Sequence, residues 1–125
     1  MNTDPIVIFS DSDALIGDID YVFRDHLNFI SSGSLPWIED YLKHHRVKLL
    51  IADMDIKIDV RTEVLERLRE LGGEEISFLF LVSEKMKLEL ERDFGDLNRF
   101  EVSADWLVKP FSRNALISSV DHLNG

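Results

Sequence analysis

The stretch "ISFLFLV", Ile76–Val82, decides the fold class, because every residue in it except Ser77 is apolar. A strand with one face in water alternates apolar and polar residues, whereas a parallel strand covered on both faces is apolar throughout. Similar runs occupy Pro5–Ser10, Val47–Ala52 and Trp106–Val108, and a weaker one lies at Asn28–Ser31. We therefore predict five strands in a parallel sheet.

The segments between these runs carry apolar residues three or four positions apart, the spacing of one helix face. They extend over Leu15–Leu27, Trp37–Leu42, Val64–Leu71, Met86–Phe94 and Leu116–Leu123. The alternation predicts an α/β fold: an open, doubly wound, flavodoxin-like sheet of five parallel strands with five helices on both faces. No repeat or linker interrupts the pattern, so we expect residues 1–125 to form one domain.

Composition excludes several classes of function. The chain has 24 acidic and 14 basic residues, a formal net charge of −10, which argues against direct nucleic-acid binding because that needs a basic surface. It has no cysteine, and hence no disulfide or thiolate metal site. No apolar run approaches the roughly 20 residues that span a bilayer, and the N-terminus lacks the basic segment of a signal peptide. We expect a cytoplasmic protein that binds no membrane.

Polar side chains follow four of the predicted strands, at the edge where the carboxyl ends of parallel strands meet. They are Asp11, Asp53, Ser83 and Lys109. Two carboxylates without cysteine or histidine suit a hard cation such as Mg²⁺ or Mn²⁺. One carboxylate could attack phosphorus while Lys109 and Ser83 hold phosphoryl oxygens. The pattern indicates an aspartyl phosphate.

Simpler roles compete with this interpretation. A carboxylate at a strand end more often starts a helix than binds a ligand, and we expect Asp13 to be the N-cap of the first helix. Ser34 and Ser112 are expected to cap the second and fifth helices. Only the joint occurrence of polar residues at four strand ends favours a functional site.

Three motifs, "LLIADMDI" (49–56), "FLFLVSE" (78–84) and "DWLVKPF" (105–111), resemble the receiver domains of two-component response regulators. The order of strands and helices resembles that family over nearly the whole chain. The resemblance implies that Asp53 accepts the phosphoryl group. It also implies that Asp11, Asp53 and the backbone carbonyl of Asp55 bind Mg²⁺. We expect the affinity for Mg²⁺ to be weak.

The resemblance also implies roles for the remaining strand ends and for partners. Ser83 and Lys109 would assist phosphoryl transfer, and Ser83 and Trp106 would form the switch. A histidine kinase or phosphotransfer protein would supply the phosphoryl group in a phosphorelay. An output protein or a second copy would bind the face of the fourth helix, fifth strand and fifth helix, where we expect Leu88 to be exposed. No enzymatic activity is implied beyond transfer to Asp53 itself.

Departures from the family pattern leave a second interpretation open. Ser10 stands where receivers carry a further acid, and Glu84 stands where a small residue makes room for the phosphoryl group. Lys57 and Val60-Arg61 also replace residues usual in the loop after Asp53. These changes predict slow, incomplete phosphorylation of Asp53. A pseudo-receiver that binds its partner without phosphorylation is therefore the alternative.

The segment "DSDAL" (11–15) is also similar to a motif of a second protein family. It resembles the D-x-D-x-[TV]-L motif of haloacid-dehalogenase-type phosphatases, with Asp11 as nucleophile and Asp13 as acid and base. The later acidic pair of those enzymes is missing, because Asp121, the only acid beyond Lys109, lies in a predicted helix. The K-P-F tripeptide at Lys109 and the short chain favour the receiver.

Overall fold

The structure is a computed structural model that describes residues 5–23, 28–55, 61–72, 76–94 and 104–124. Within these ranges strands and helices alternate along the chain. The strands are β1 (Ile6–Phe9), β2 (Phe29–Ser32), β3 (Leu49–Asp53), β4 (Ser77–Val82) and β5 (Ala104–Val108). The helices are α1 (Asp13–Phe23), α2 (Leu35–His44), α3 (Arg61–Gly72), α4 (Glu84–Phe94) and α5 (Arg113–Asn124).

The five strands form one parallel sheet in the order β2-β1-β3-β4-β5, which confirms the predicted fold. The weakest predicted strand, β2, is an edge strand and is only partly buried, which explains its weaker apolar pattern. The chain order reverses between β1 and β3. In such sheets the crevice beyond the carboxyl ends of the strands at this reversal is where ligands bind.

Alternate side chains of the strands point into two separate cores, one on each face of the sheet. On β4, Phe78 and Phe80 pack with the faces of α2, α3 and α4, whereas Leu79 and Leu81 pack with α1 and α5. All four are fully buried, and each contributes about 1.5–3 kcal/mol by leaving water. Two-sided burial is why "ISFLFLV" lacks polar alternation, and it holds the strand ends in fixed positions.

Hydroxyl side chains cap four of the helices: Ser83 caps α4, and the other three are α1, α2 and α5. Ser34 and Ser112 cap α2 and α5 as predicted, since their oxygens accept hydrogen bonds from the N–H groups of Trp37 and Ala115. The predicted cap at Asp13 is wrong by one residue. The Oγ of Ser12 accepts from the N–H of Leu15 at 3.2 Å, and Asp13 is the first helical residue, where its negative charge favours the helix dipole.

Several predictions fall on parts of the chain that the structure leaves undescribed. Leu27, Lys57 and Val60 lie outside the described residues, as do the side chains of Arg61, Val64, Leu65 and Phe94. Among the helices that are described, none has the length and apolar character needed to cross a membrane.

Candidate functional site

Asp53 is the centre of the site. It is the last residue of β3, and only 3% of its surface is exposed. One carboxylate oxygen, Oδ1, accepts from the Lys109 ammonium at 2.7 Å and from the backbone N–H of Asp55 at 3.1 Å. The other, Oδ2, accepts from the hydroxyl of Ser10 at 2.8 Å. Burial of this carboxylate is therefore offset by three hydrogen bonds, one of them from a cation.

Ser10 is a residue of the site that sequence reasoning interpreted only as a missing acid. It directly follows β1 and is 1% exposed. Its Oγ donates to Asp53 and accepts from the N–H of Ser12 at 3.1 Å. The hydroxyl thus satisfies a buried carboxylate and a loop N–H together. A polar residue that closes an apolar run one position before Asp11 was the available signal.

The side chain of Asp55 is the second residue that sequence reasoning missed, since only its backbone carbonyl was assigned a role. Its Oδ1 accepts from the hydroxyl of Ser83 at 2.9 Å, and its Oδ2 accepts from the N–H of Ser83 at 2.9 Å. Oδ2 also lies 3.0 Å from Nζ of Lys109. Ser83 in turn caps α4, because its Oγ accepts from the N–H of Met86 at 3.2 Å.

Lys109 joins the two carboxylates. It follows β5, and its backbone N–H donates to the carbonyl of Val82 at 2.7 Å, which fixes the ends of β4 and β5 side by side. Burial acts to lower the pKa of Lys109, but hydrogen bonds and attraction from Asp53 and Asp55 outweigh it and raise that pKa above 10.5. Burial likewise acts to raise the pKa of Asp55, but its bonds with Lys109 and Ser83 prevail and hold it below 3.8.

Asp11 lies at the same edge but is exposed, unlike Asp53. A close approach of the β2–α2 connection fixes the backbone around it. A Cβ added to Gly33 would come within 3.1 Å of the Ser10 carbonyl oxygen and of Asp11 Cα. Because real Cβ atoms rarely approach so closely, glycine at position 33 lets the two loops pack together.

The chemistry of these oxygen ligands fits a hard divalent cation such as Mg²⁺. The carboxylate of Asp53 ends β3, and the carboxylate of Asp11 and the carbonyl of Asp55 belong to the loops that follow β1 and β3. However, the described ranges contain no group of three acidic, histidine or cysteine side chains able to hold a metal ion. Lys109 also already forms ion pairs with both Asp53 and Asp55. Weak binding of Mg²⁺ therefore stays a prediction.

The other predicted residues lie around this centre. Trp106 is half-buried on β5, with its ring centroid 5.4 Å from that of Phe80. Glu84 is the first residue of α4 and is exposed. Leu88 is 69% exposed on the same helix, as predicted.

Comparison with known proteins bears on the fold. The sequence matches no protein-family model and no curated protein. A signal receiver domain of a two-component response regulator from Bacteroides fragilis is 14% identical with a TM-score of 0.77, covering 99% of this chain and 98% of its own. The chain has the receiver-domain fold.

Two further structures extend this likeness. The receiver domain of a sensor histidine kinase from Pseudomonas aeruginosa, which has a magnesium ion in its active-site cleft, is 14% identical with a TM-score of 0.75 over 99% of both chains. An adenylate cyclase structure from Rhodopirellula baltica is 16% identical with a TM-score of 0.81, covering 98% of this chain and 88% of that one. Identities this low establish the fold alone.

The described contacts give no support to the phosphatase alternative. In that enzyme class Asp11 would be the nucleophile, and Ser83 and Lys109 would face it. Instead, Ser83 contacts Asp55, and Lys109 contacts Asp53 and Asp55. These contacts are centred on the end of β3, not on the segment that follows β1.

Proposed function

We propose that residues 1–125 form a receiver-like signalling domain in which Asp53 accepts a phosphoryl group and thereby changes partner binding. The observation that carries the proposal is the ion pair of 2.7 Å between buried Asp53 and Lys109, formed across the carboxyl ends of β3 and β5. A cation held against a carboxylate at this edge can neutralise the charge that develops during phosphoryl transfer.

The hydrogen bonds of Asp53 support Oδ2 as the attacking atom. A carboxylate has about four acceptor positions, two on each oxygen. Among the described contacts, Oδ1 uses both of its positions, on Lys109 and the Asp55 N–H, whereas Oδ2 uses one, on Ser10. Attack by Oδ2 on the phosphorus of a phosphohistidine forms an O–P bond and breaks the N–P bond. The imidazole keeps the electron pair and takes up a proton.

Magnesium would take its place at the same edge. Asp11 and the Asp55 carbonyl would hold it, together with Asp53 once that carboxylate gives up one of its present hydrogen bonds. It would supply positive charge to the transferring phosphoryl group. The remaining contribution comes from the chain itself. Lys109 and Ser83 are positioned to bind phosphoryl oxygens, provided that they release Asp55.

The test is incubation with acetyl phosphate and Mg²⁺ followed by intact-mass measurement, with Asp53→Asn as the matched control. We expect slow addition of one phosphoryl group to the wild type and none to the control. Labelling of both proteins alike would place the phosphoryl group elsewhere and refute the assignment of Asp53. Sustained phosphate release from unrelated phosphomonoesters would instead indicate a phosphatase.

One observation favours a phosphorylation-independent interaction module as a second candidate. Asp53 is 3% exposed, and Ser10, a neutral donor, occupies the place beside it. Asp53 is thus hydrogen-bonded by residues of the chain itself. Two results together would select this function. Acetyl phosphate leaves the wild type unlabelled, and the Asp53→Asn variant binds the partner as tightly as the wild type does.

Partners follow from the same proposal. A histidine kinase or phosphotransfer protein would donate the phosphoryl group, and an output partner or second copy would bind the α4–β5–α5 face. Solved structures with this fold include the signal receiver domain of an HD-domain protein and a receiver-modulated diguanylate cyclase. Those neighbours favour an output domain as the responding partner.

A further inference from the structure

Three hydrogen-bond donors converge on the carboxylate of Asp55. The hydroxyl and the N–H of Ser83 each lie 2.9 Å from an oxygen of Asp55, and the Lys109 ammonium lies 3.0 Å from one of them. Two donors on one residue and a cation from another strand end form a cradle for a two-oxygen anion. Bonds of this charge-assisted kind are about twice as strong as neutral ones.

The same donors would face the oxygens of a phosphate or phosphoryl group. This step rests on the proposed function, which assigns Ser83 and Lys109 to phosphoryl oxygens. Phosphate presents pairs of oxygens much as a carboxylate does, and it carries the same sign of charge. It cannot share the donors with Asp55, since two anions in contact repel each other.

We propose that Ser83 and Lys109 form an oxyanion site that Asp55 itself occupies, so that the Asp55 carboxylate is an internal competitor of phosphate. The competitor is attached close by, because Asp55 follows Asp53 by two residues and its N–H bonds to the Asp53 carboxylate. Its effective concentration at the cradle is therefore high. The device keeps the site closed until Asp55 moves away.

The test uses the whole chain and inorganic phosphate without Mg²⁺. Asp55→Asn keeps the shape of the side chain and removes its charge, and Asp13→Asn removes the same charge from an exposed position on α1. Phosphate is titrated while the ¹H–¹⁵N resonance of Ser83 is followed. We expect Asp55→Asn to tighten phosphate binding at least tenfold and to move the Ser83 resonance, and Asp13→Asn to change affinity less than twofold.

Two results would overturn the inference. The first is an equal gain in Asp55→Asn and Asp13→Asn, which would make the effect one of net charge. The second is no gain in either Asp55→Asn or Asp55→Ala. Asp55→Asn is expected to fold, because asparagine can still accept a hydrogen bond from the Ser83 hydroxyl. Asp55→Ala removes the competing side chain in a second, independent way.

Intact-mass measurement with acetyl phosphate and Mg²⁺ on the same variants separates this inference from the proposed function. Tighter phosphate binding by Asp55→Asn with no labelling of Asp53 in any variant supports the competitor and refutes the phosphoacceptor. Labelling of wild-type Asp53 with no gain in phosphate affinity refutes the competitor and leaves the phosphoacceptor in place.

Discussion

Replacing Ser10 by aspartate should make the stability of this protein depend on Mg²⁺. The Ser10 hydroxyl lies 2.8 Å from Oδ2 of Asp53, and the two residues are 1% and 3% exposed. A carboxylate in its place would bring two like charges to about 4 Å. At an effective dielectric near 20 they repel by about 4 kcal/mol, and loss of the hydrogen bond to a charged group adds about 1.5–3 kcal/mol.

Rotation of the new side chain toward solvent would relieve part of this cost. We therefore expect Ser10→Asp to lower the free energy of unfolding by about 3 kcal/mol without metal, a large fraction of the typical 5–15 kcal/mol. A cation between the two carboxylates offsets part of this loss. Mg²⁺ at ten times its Kd should restore about 1.4 kcal/mol by mass action.

The assay is urea denaturation followed by far-ultraviolet circular dichroism, with and without millimolar Mg²⁺. Ser12→Asp is the matched control, since it adds the same group two residues away, where a carboxylate is a good N-cap. Two results would refute the reasoning. One is a loss below about 1 kcal/mol in Ser10→Asp without metal, and the other is a gap between the two variants that Mg²⁺ leaves unchanged.

Four further predictions test the rest of the site. Leu88→Glu should weaken self-association in sedimentation velocity, or partner binding, while urea stability stays within about 0.5 kcal/mol because the side chain is exposed. Asp11→Asn should abolish weak Mg²⁺ binding in calorimetric titration and Asp13→Asn should preserve it; the reverse order would contradict the ligand assignment. Glu84→Ala should change the rate of labelling by acetyl phosphate less than twofold, because Glu84 is already exposed. Because the pKa of Asp55 is lowered in the folded state, its carboxylate stabilises the fold above about pH 4, and this contribution is lost as the pH falls through the folded-state pKa. The free energy of unfolding of Asp55→Asn should therefore fall less steeply with acidification than that of the wild type.

The fold could be predicted because its determinants are local and repetitive. Continuous apolar runs such as Ile76–Val82 require two-sided burial, and helical stripes between them leave few topologies open. Strand-end position then indicates which polar residues approach one another, and Asp53 and Lys109 do lie 2.7 Å apart. Proximity at an edge follows from topology alone.

The hydrogen-bond partners could not be predicted in the same way. Ser12 and Asp13 are both good capping residues. Which of them caps α1 depends on whose side-chain oxygen reaches the N–H of Leu15, and the structure shows that it is Ser12. The side chain of Asp55 likewise reaches Ser83 only because the chain turns sharply after β3. Sequence spacing contains neither distance, so the internal anion became visible only in the structure.

The internal anion also ties the site to the proposed partner face through a single hydroxyl. Ser83 Oγ donates to Asp55 and accepts from the N–H of Met86, so the group that holds the carboxylate is the group that caps α4. An anion that displaces Asp55 must bond to the same hydroxyl and thereby acts on the first turn of α4. Leu88 lies on that helix, one turn beyond the cap. One hydrogen-bonded residue and about one turn of helix therefore separate the carboxyl end of β3 from the exposed side chain of Leu88.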